Sequence, residues 1–356
     1  MILCALPAIG EETAAIIDAM DLEKLQNSAD DAGVDISVRD LLMGLASGEI
    51  ALDENTLRDI WTGIKDGIIS HTGGIFAAFA GPLVLAAVCR RAAGGKGKEI
   101  SLICCVCCAA GFLGVMTEAI EQARALLGHI SGITDAAFPL VTGFMAVTGA
   151  SSTQAMLTPM AGVVGMITSD IMGGWGLYLC VAACACAIAA GFGNVLNLDG
   201  IFSLIKSLVM WGSGMLLALF VGILSIQGML GAGYDSAAMR TAQFAVDKMI
   251  PVIGGDISDS LETVLASVML VKNAAGVTGM LVVISVCLGP VLRLWATYFA
   301  IRLAAAAASP VTGAELTGMV ERFSQVISML ITICLVATTM SLVLLGAAVY
   351  AGRAAV

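Results

Sequence analysis

Lys272 is the side chain in this sequence with the most chemistry to explain. It interrupts the apolar stretch Leu270-Val271-Lys272-Asn273-Ala274-Ala275-Gly276. An ammonium near the middle of a membrane helix costs about 2.5–3.5 kcal/mol to insert, so it needs a protein or water environment and a counter-charge. Asp259 and Glu262 are the nearest acidic residues in sequence, and Asn273 can share the polar site. Two roles follow: a gate or polar lock in a conduit, or a lysine near the interface whose stem carries its charge to the headgroups. Gln227 lies in another apolar stretch, where a hydrogen bond to a neighbouring helix is worth about 0.6–2 kcal/mol, which favours packing. Arg240 shares one face of an amphipathic stretch, 237–250, with Phe244 and Asp247, a position suited to headgroup or subunit contact. Ser151, Thr153 and Gln154 belong to a small, polar stretch from Thr148 to Pro159 inside a longer apolar run. They are candidates for lining a wet cavity.

Other chemistry is poorly supported. Cys104, Cys105, Cys107 and Cys108 contain two overlapping C-x-x-C spacings, but no histidine or second cluster has ligand spacing near them, so no metal is expected. Small buried thiols on a membrane helix are the simpler reading, for Cys180, Cys184 and Cys186 as well. Gly94-Gly95-Lys96-Gly97-Lys98 lacks the spacing and hydroxyl of a phosphate-binding loop, and His71 and His129 cannot form a zinc helix. Tyr234-Asp235 with Gly254-Gly255-Asp256 loosely resembles the paired aspartates of intramembrane aspartyl proteases. Ile253 stands where that pattern needs glycine, and both aspartates are expected at loop-like edges. No catalytic residue and no cofactor is expected.

The elements that position these residues are read from charge. Phe323–Gly352 contains no Asp, Glu, Lys, Arg or His, and the same holds for 136–169, 171–198, 207–234 and 273–292. About 20 apolar residues cross a bilayer core as a helix, so these runs define an all-α, polytopic helical membrane protein. Hydrophobic residues make up 59% of the chain and charged residues 12%, about half the charged share of a soluble protein. Barrel strands would alternate apolar and polar residues, and these runs do not. The 41 glycines suit close helix contacts in lipid.

Two domains follow. Between Glu11 and Asp66 lie 14 acidic and 4 basic residues, which accounts for the formal net charge of −10 of the whole chain. Residues 1–66 therefore read as a small acidic helical extramembrane module, with Ile36, Leu41, Leu42, Leu45, then Leu52, Leu57, Ile60 and Ile64 at helical spacing and Asp53 as a helix cap. Its acidity argues against nucleic acid as a partner. Met1–Gly10 is apolar but short, without a basic start or a clear cleavage site, so no complete secretion signal is read there. Residues 67–356 form the membrane domain, with about six to eight segments. A first span at 73–89 precedes the basic cluster Arg90, Arg91, Lys96 and Lys98, which places that loop in the cytoplasm and the acidic module outside. A second, 100–116, leads outward to Glu118, Glu121, Arg124 and His129. Residues 136–169 are long for one span and short for two, and Pro159 points to a broken or re-entrant helix. Spans follow at 171–192 and 207–230.

Five blocks carry a family resemblance: Ser225-Ile226-Gln227-Gly228, Arg240-Thr241-Ala242, Ile250-Pro251-Val252-Ile253-Gly254, Ser258-Asp259 and the Lys272 stretch from Leu270 to Gly276. In order and spacing they resemble the stage III sporulation protein AE family, over about residues 204–356, with the earlier half similar in layout alone. The resemblance implies a subunit of an envelope-spanning complex of endospore formation. Mother-cell membrane proteins there meet a forespore-side partner in a channel or secretion-like conduit, energised indirectly by a companion ATPase. It also implies residence in the mother-cell membrane around the forespore, a signal peptide at the start of most members, and other stage III sporulation membrane proteins as partners besides the lipid bilayer. A structural scaffold without its own conduit is the alternative.

Overall fold

The computed structural model describes residues 22–31, 37–47, 97–147, 150–191, 198–249, 254–309 and 314–351, with isolated positions between 73 and 88. The first membrane segment expected at 73–89 lies almost wholly outside the described residues, as does the basic loop after it. Among the described residues there is no strand. The helices are α1 (Glu23–Asp31), α2 (Val38–Ser47), α3 (Gly97–Val147), α4 (Ser151–Met166), a π-helical segment (Ile167–Gly176), α5 (Leu177–Gly191), α6 (Asp199–Met249), α7 (Gly254–Ala308) and α8 (Ala314–Ala351). Among the described residues five stretches are long and apolar enough to cross a membrane: Cys105–Met145, Ser151–Ala190, Asp199–Gly231, Ser267–Ala307 and Thr317–Ala351.

α8 is the central helix. From Phe323 on it carries no charge, which lets it be the most enclosed of the long apolar helices, and it packs against α3, α5, α6 and α7. Met329, Leu330, Cys334, Ala337 and Leu344 are fully buried along it. α3 runs parallel to α8: Phe112 stacks on Phe323 with ring centroids 3.7 Å apart, and Thr134 shares a buried 2.9 Å hydrogen bond with Ser341. α7 runs the other way, with Thr338 donating to Cys287 Sγ at 3.3 Å and Gly276 meeting Val349. Gly279 continues this contact, since a Cβ there would lie 3.0 Å from that of Ala137 on α3. Small residues thus set the α3–α7–α8 spacing, as expected where lipid removes the hydrophobic drive between helices.

Several elements differ from the sequence reading. Pro159 lies inside α4, and the apolar run 136–169 divides at its middle, between the end of α3 at Val147 and the start of α4 at Ser151. α4, the π-helical segment and α5 form one rod from Ser151 to Gly191, with no loop at Asp170. Met172-Gly173-Gly174-Trp175-Gly176 accommodates the wider π turns. A Cβ on Gly173 would be 3.2 Å from the Thr168 carbonyl oxygen, and one on Gly176 3.2 Å from Ile333. Glu118, Glu121, Arg124 and His129 belong to the unbroken helix α3 rather than to a loop, because the helical ladder continues through polar residues as readily as through apolar ones. The amphipathic stretch 237–250 continues α6 up to Met249.

α1 and α2 form a short hairpin, tied by the Val38 N–H donating to Gln26 Oε1 at 2.9 Å. They dock on the bundle through buried Leu25, Ala29, Val38 and Leu42, with α1 against α3 and α2 against α7.

Candidate functional site

Two buried charges mark the bundle, and the local sequence explains how each is reached. The first is Asp235 on α6, 3% exposed. α4 begins after Ala150, a residue with no side chain able to cap, so the amide hydrogens of its first turn need an acceptor from elsewhere. Asp235 provides it from another helix. Its Oδ1 accepts the Ser152 N–H at 2.9 Å, and its Oδ2 accepts the Thr153 N–H at 3.0 Å and the Thr153 hydroxyl. These are the amides that an N-cap side chain would take, and a carboxylate there also meets the positive end of the helix dipole. Gly231, one turn before Asp235 on the same face, makes the approach possible. A Cβ there would lie 2.6 Å from Thr153 Oγ1 and 2.8 Å from Thr153 Cα, and the latter is backbone that cannot swing aside.

The second is Lys272 on α7, 1% exposed and among the largest fully buried side chains. Its helix is continuous from Gly254, so the lysine does not interrupt the backbone ladder. Gly276 lies one turn on, where a Cβ would collide with Val349 Cγ2, so α7 and α8 touch nearly backbone to side chain one turn from Lys272. Asn273 Oδ1 and Thr278 Oγ1 are buried close by in sequence, with no hydrogen-bond partner among the described residues. Gln227 Oε1 on α6 and Thr168 Oγ1 in the π-helical segment share that condition. A buried oxygen left so costs about 1–3 kcal/mol, which makes these positions candidates for water or for a partner's donor.

The residues singled out from sequence therefore fall into separate places. Ser151, Thr153 and Gln154 form the start of α4, where Thr153 is fully buried and bonded to Asp235, Ser151 is exposed and Gln154 half-buried. Lys272 and Asn273 lie on α7, which packs mainly against α8 and α3 and also carries α2. Arg240 lies on α6, and Asp259 and Glu262 on α7; their side chains are outside the described residues. Asp235, which the sequence places at a loop-like edge, lies within a helix, and its carboxylate is engaged in capping. The signal that could have found this role is the pair Gly231 and Asp235, four residues apart, facing a Ser-Ser-Thr helix start.

The other end of the bundle carries a surface clamp. Arg322 Nη2 lies 2.6 Å from Asp199 Oδ1, and Lys206 Nζ donates to Gln325 Oε1 at 3.1 Å, joining α6 to α8. Trp295, Tyr298 and Phe299 cluster on α7, and Arg302 lies over the Tyr298 ring at 5.6 Å. Aromatic rings beside cations suit the headgroup layer. Among the described residues no group of three or more metal-ligating side chains is gathered.

Among the described residues, four long apolar helices around a buried fifth define a polytopic helical membrane protein. The chain belongs to the stage III sporulation protein AE family, whose sequence profile matches residues 96–352. It is 24% identical over 199 residues to stage III sporulation protein AE of Bacillus subtilis (strain 168), covering 55% of this chain and 49% of that one. The match thus spans about half the length of that relative. The profile reaches well before residue 204, so α3, α4 and α5 share the family pattern along with the five blocks read from sequence. No solved structure matches. Family membership ties the chain to sporulation.

Proposed function

We propose that this chain is a non-enzymatic integral membrane subunit of a channel or secretion-like complex of endospore formation, in the mother-cell membrane facing the forespore. The observation that supports this reading best is Lys272, wholly buried in a bundle of apolar helices. A protein serving only as a scaffold gains nothing from an ammonium there, since an apolar side chain of similar length packs at lower cost. A charge retained inside a membrane bundle is the usual mark of an ion or substrate path, or of a lock that must open. Other stage III sporulation membrane proteins, a forespore-side partner and, indirectly, a companion ATPase are the partners this reading requires.

Replacing Lys272 with Met tests it. The chain should accumulate in the membrane at the parental level while the yield of heat-resistant spores collapses. Parental spore yield would reduce Lys272 to a packing residue and favour the scaffold.

A further inference from the structure

The two contacts between α3 and α8 fix a depth scale. Between Phe323 and Ser341, α8 carries no charged side chain. The stretch of α3 alongside it, between Phe112 and Thr134, carries Glu118, Glu121 and Arg124, all on the outer surface of the bundle. Asp135, next to Thr134, is exposed as well. These charges therefore lie at the depth where α8 carries no charge, and hydrocarbon is the wrong solvent for them. The outer face of α6 shows what a lipid-facing surface looks like in this molecule: Leu208, Trp211, Met215, Leu219 and Ile223 are exposed there.

The exposed α3 residues are also periodic. Cys107, Gly114, Glu121, Gly128 and Asp135 recur every seven residues, and Ala110, Thr117 and Arg124 form a second line three positions on. A 3.5-residue period held over four heptads is the spacing of a seam that meets another helix. Gly114 and Gly128 have open space where a Cβ would stand, so an approaching backbone meets no obstruction. Among the described residues α1 leaves this seam uncovered: it lies to one side, with Ser28 Oγ 3.8 Å from the position of a Cβ on Gly132.

We propose that this face of α3 is a self-association surface, occupied by α3 of a second copy of this chain about an axis normal to the membrane. Copies inserted by one route share their topology, so their α3 helices run parallel and meet through the same residues. In that register Glu121 of one copy stands about 4.5 Å along the axis from Arg124 of the other, one reach of either side chain, and the pair forms twice. That pairing neutralises Glu121 and Arg124 across the seam. A lipid face or a purely apolar partner helix leaves both bare.

The inference stands apart from the conduit reading, because it can be tested in membranes of a host that makes no other sporulation protein. With Cys107 replaced by Ser, single changes Gly114→Cys, Glu121→Cys and Gly128→Cys are treated with a short bismaleimide, beside Leu219→Cys and Ile223→Cys on α6. The seam positions should give a product of twice the chain mass and the α6 positions should not. Glu121→Arg or Arg124→Glu should each reduce the Gly128→Cys product, and the two reversals together should restore it. Equal cross-linking at α3 and α6, a product of any other mass, or failure of the double reversal to restore the product overturns the proposal.

Discussion

Asp235 and Lys272 are both charges buried in an apolar bundle, and their surroundings differ in kind. Asp235 lies opposite a helix start, where two backbone amides and a hydroxyl point at its oxygens. Lys272 lies within an unbroken helix, where the neighbouring carbonyls are engaged in the helical ladder. An anion in a helical membrane protein can be satisfied by backbone alone wherever a helix begins. A cation in mid-helix depends on groups from elsewhere. The first arrangement is architectural and fixed; the second can change as neighbours move, which fits the role in function proposed for Lys272 and a role in folding for Asp235.

The comparison is broken most directly at Asp235. Asp235→Ala leaves the first-turn amides of α4 without their acceptor in a buried place, a loss of about 2–3 kcal/mol. The expected outcome is a sharp fall in folded membrane protein and in spores together, measured by detergent-solubilised yield and thermal unfolding. Asp235→Asn keeps one acceptor oxygen and should lie between. If Asp235→Ala folds like the parent but does not sporulate, the assignment of roles is reversed.

Lys272→Met should do the opposite, removing spores while sparing protein. Combining it with Glu262→Gln sharpens this. Glu262 lies ten residues before Lys272 on the same unbroken helix, about 15 Å along its axis, beyond the reach of a pair within one chain. The two changes should therefore act independently, as read by unfolding temperature beside spore yield. A double change that restores stability or spores lost in Lys272→Met would show that the two side chains meet by some other route.

The sequence shows the helices through their uncharged runs, and Phe323–Ala351 forms most of the central helix α8 because nothing in it resists burial. It also marks Lys272, an isolated charge whose cost is readable from composition alone. Asp235 was not legible as a cap, because its partners are 82 and 83 residues away in the chain and a cap given in trans leaves no local pattern. The charges at 118–129 were misleading for a related reason. In sequence they resemble a loop outside the membrane, whereas a polar stripe on one face of a continuous helix has the same composition. Which face it occupies is decided by packing against α8.

Gly231→Ala probes the capped site without touching the carboxylate. The added methyl meets Thr153 backbone and must push α4 away from α6, a strain of about 1–3 kcal/mol. Thermal stability should drop by less than in Asp235→Ala. The two changes together should cost less than their sum, because both act on one contact. Full additivity would mean that the glycine serves some other approach.

Asp199 supplies the smallest expected effect and the sharpest control. It is an aspartate at bonding distance from its partner, like Asp235, but its side chain is 62% exposed and the partner is Arg322 rather than a helix start. Water competes for both groups, salt screens them, and exposed pairs of this kind contribute at most about 1 kcal/mol. Asp199→Asn should therefore shift the unfolding temperature barely, and less still at high salt, with spore yield unchanged. The same substitution at Asp235 replaces one carboxylate oxygen by an amide nitrogen facing N–H donors, with no water to relieve it, and should be the costlier of the two. Equal losses at the two aspartates would show that the charge itself, and not its burial against backbone donors, sets their worth, and the distinction drawn between the two ends of α6 would fall.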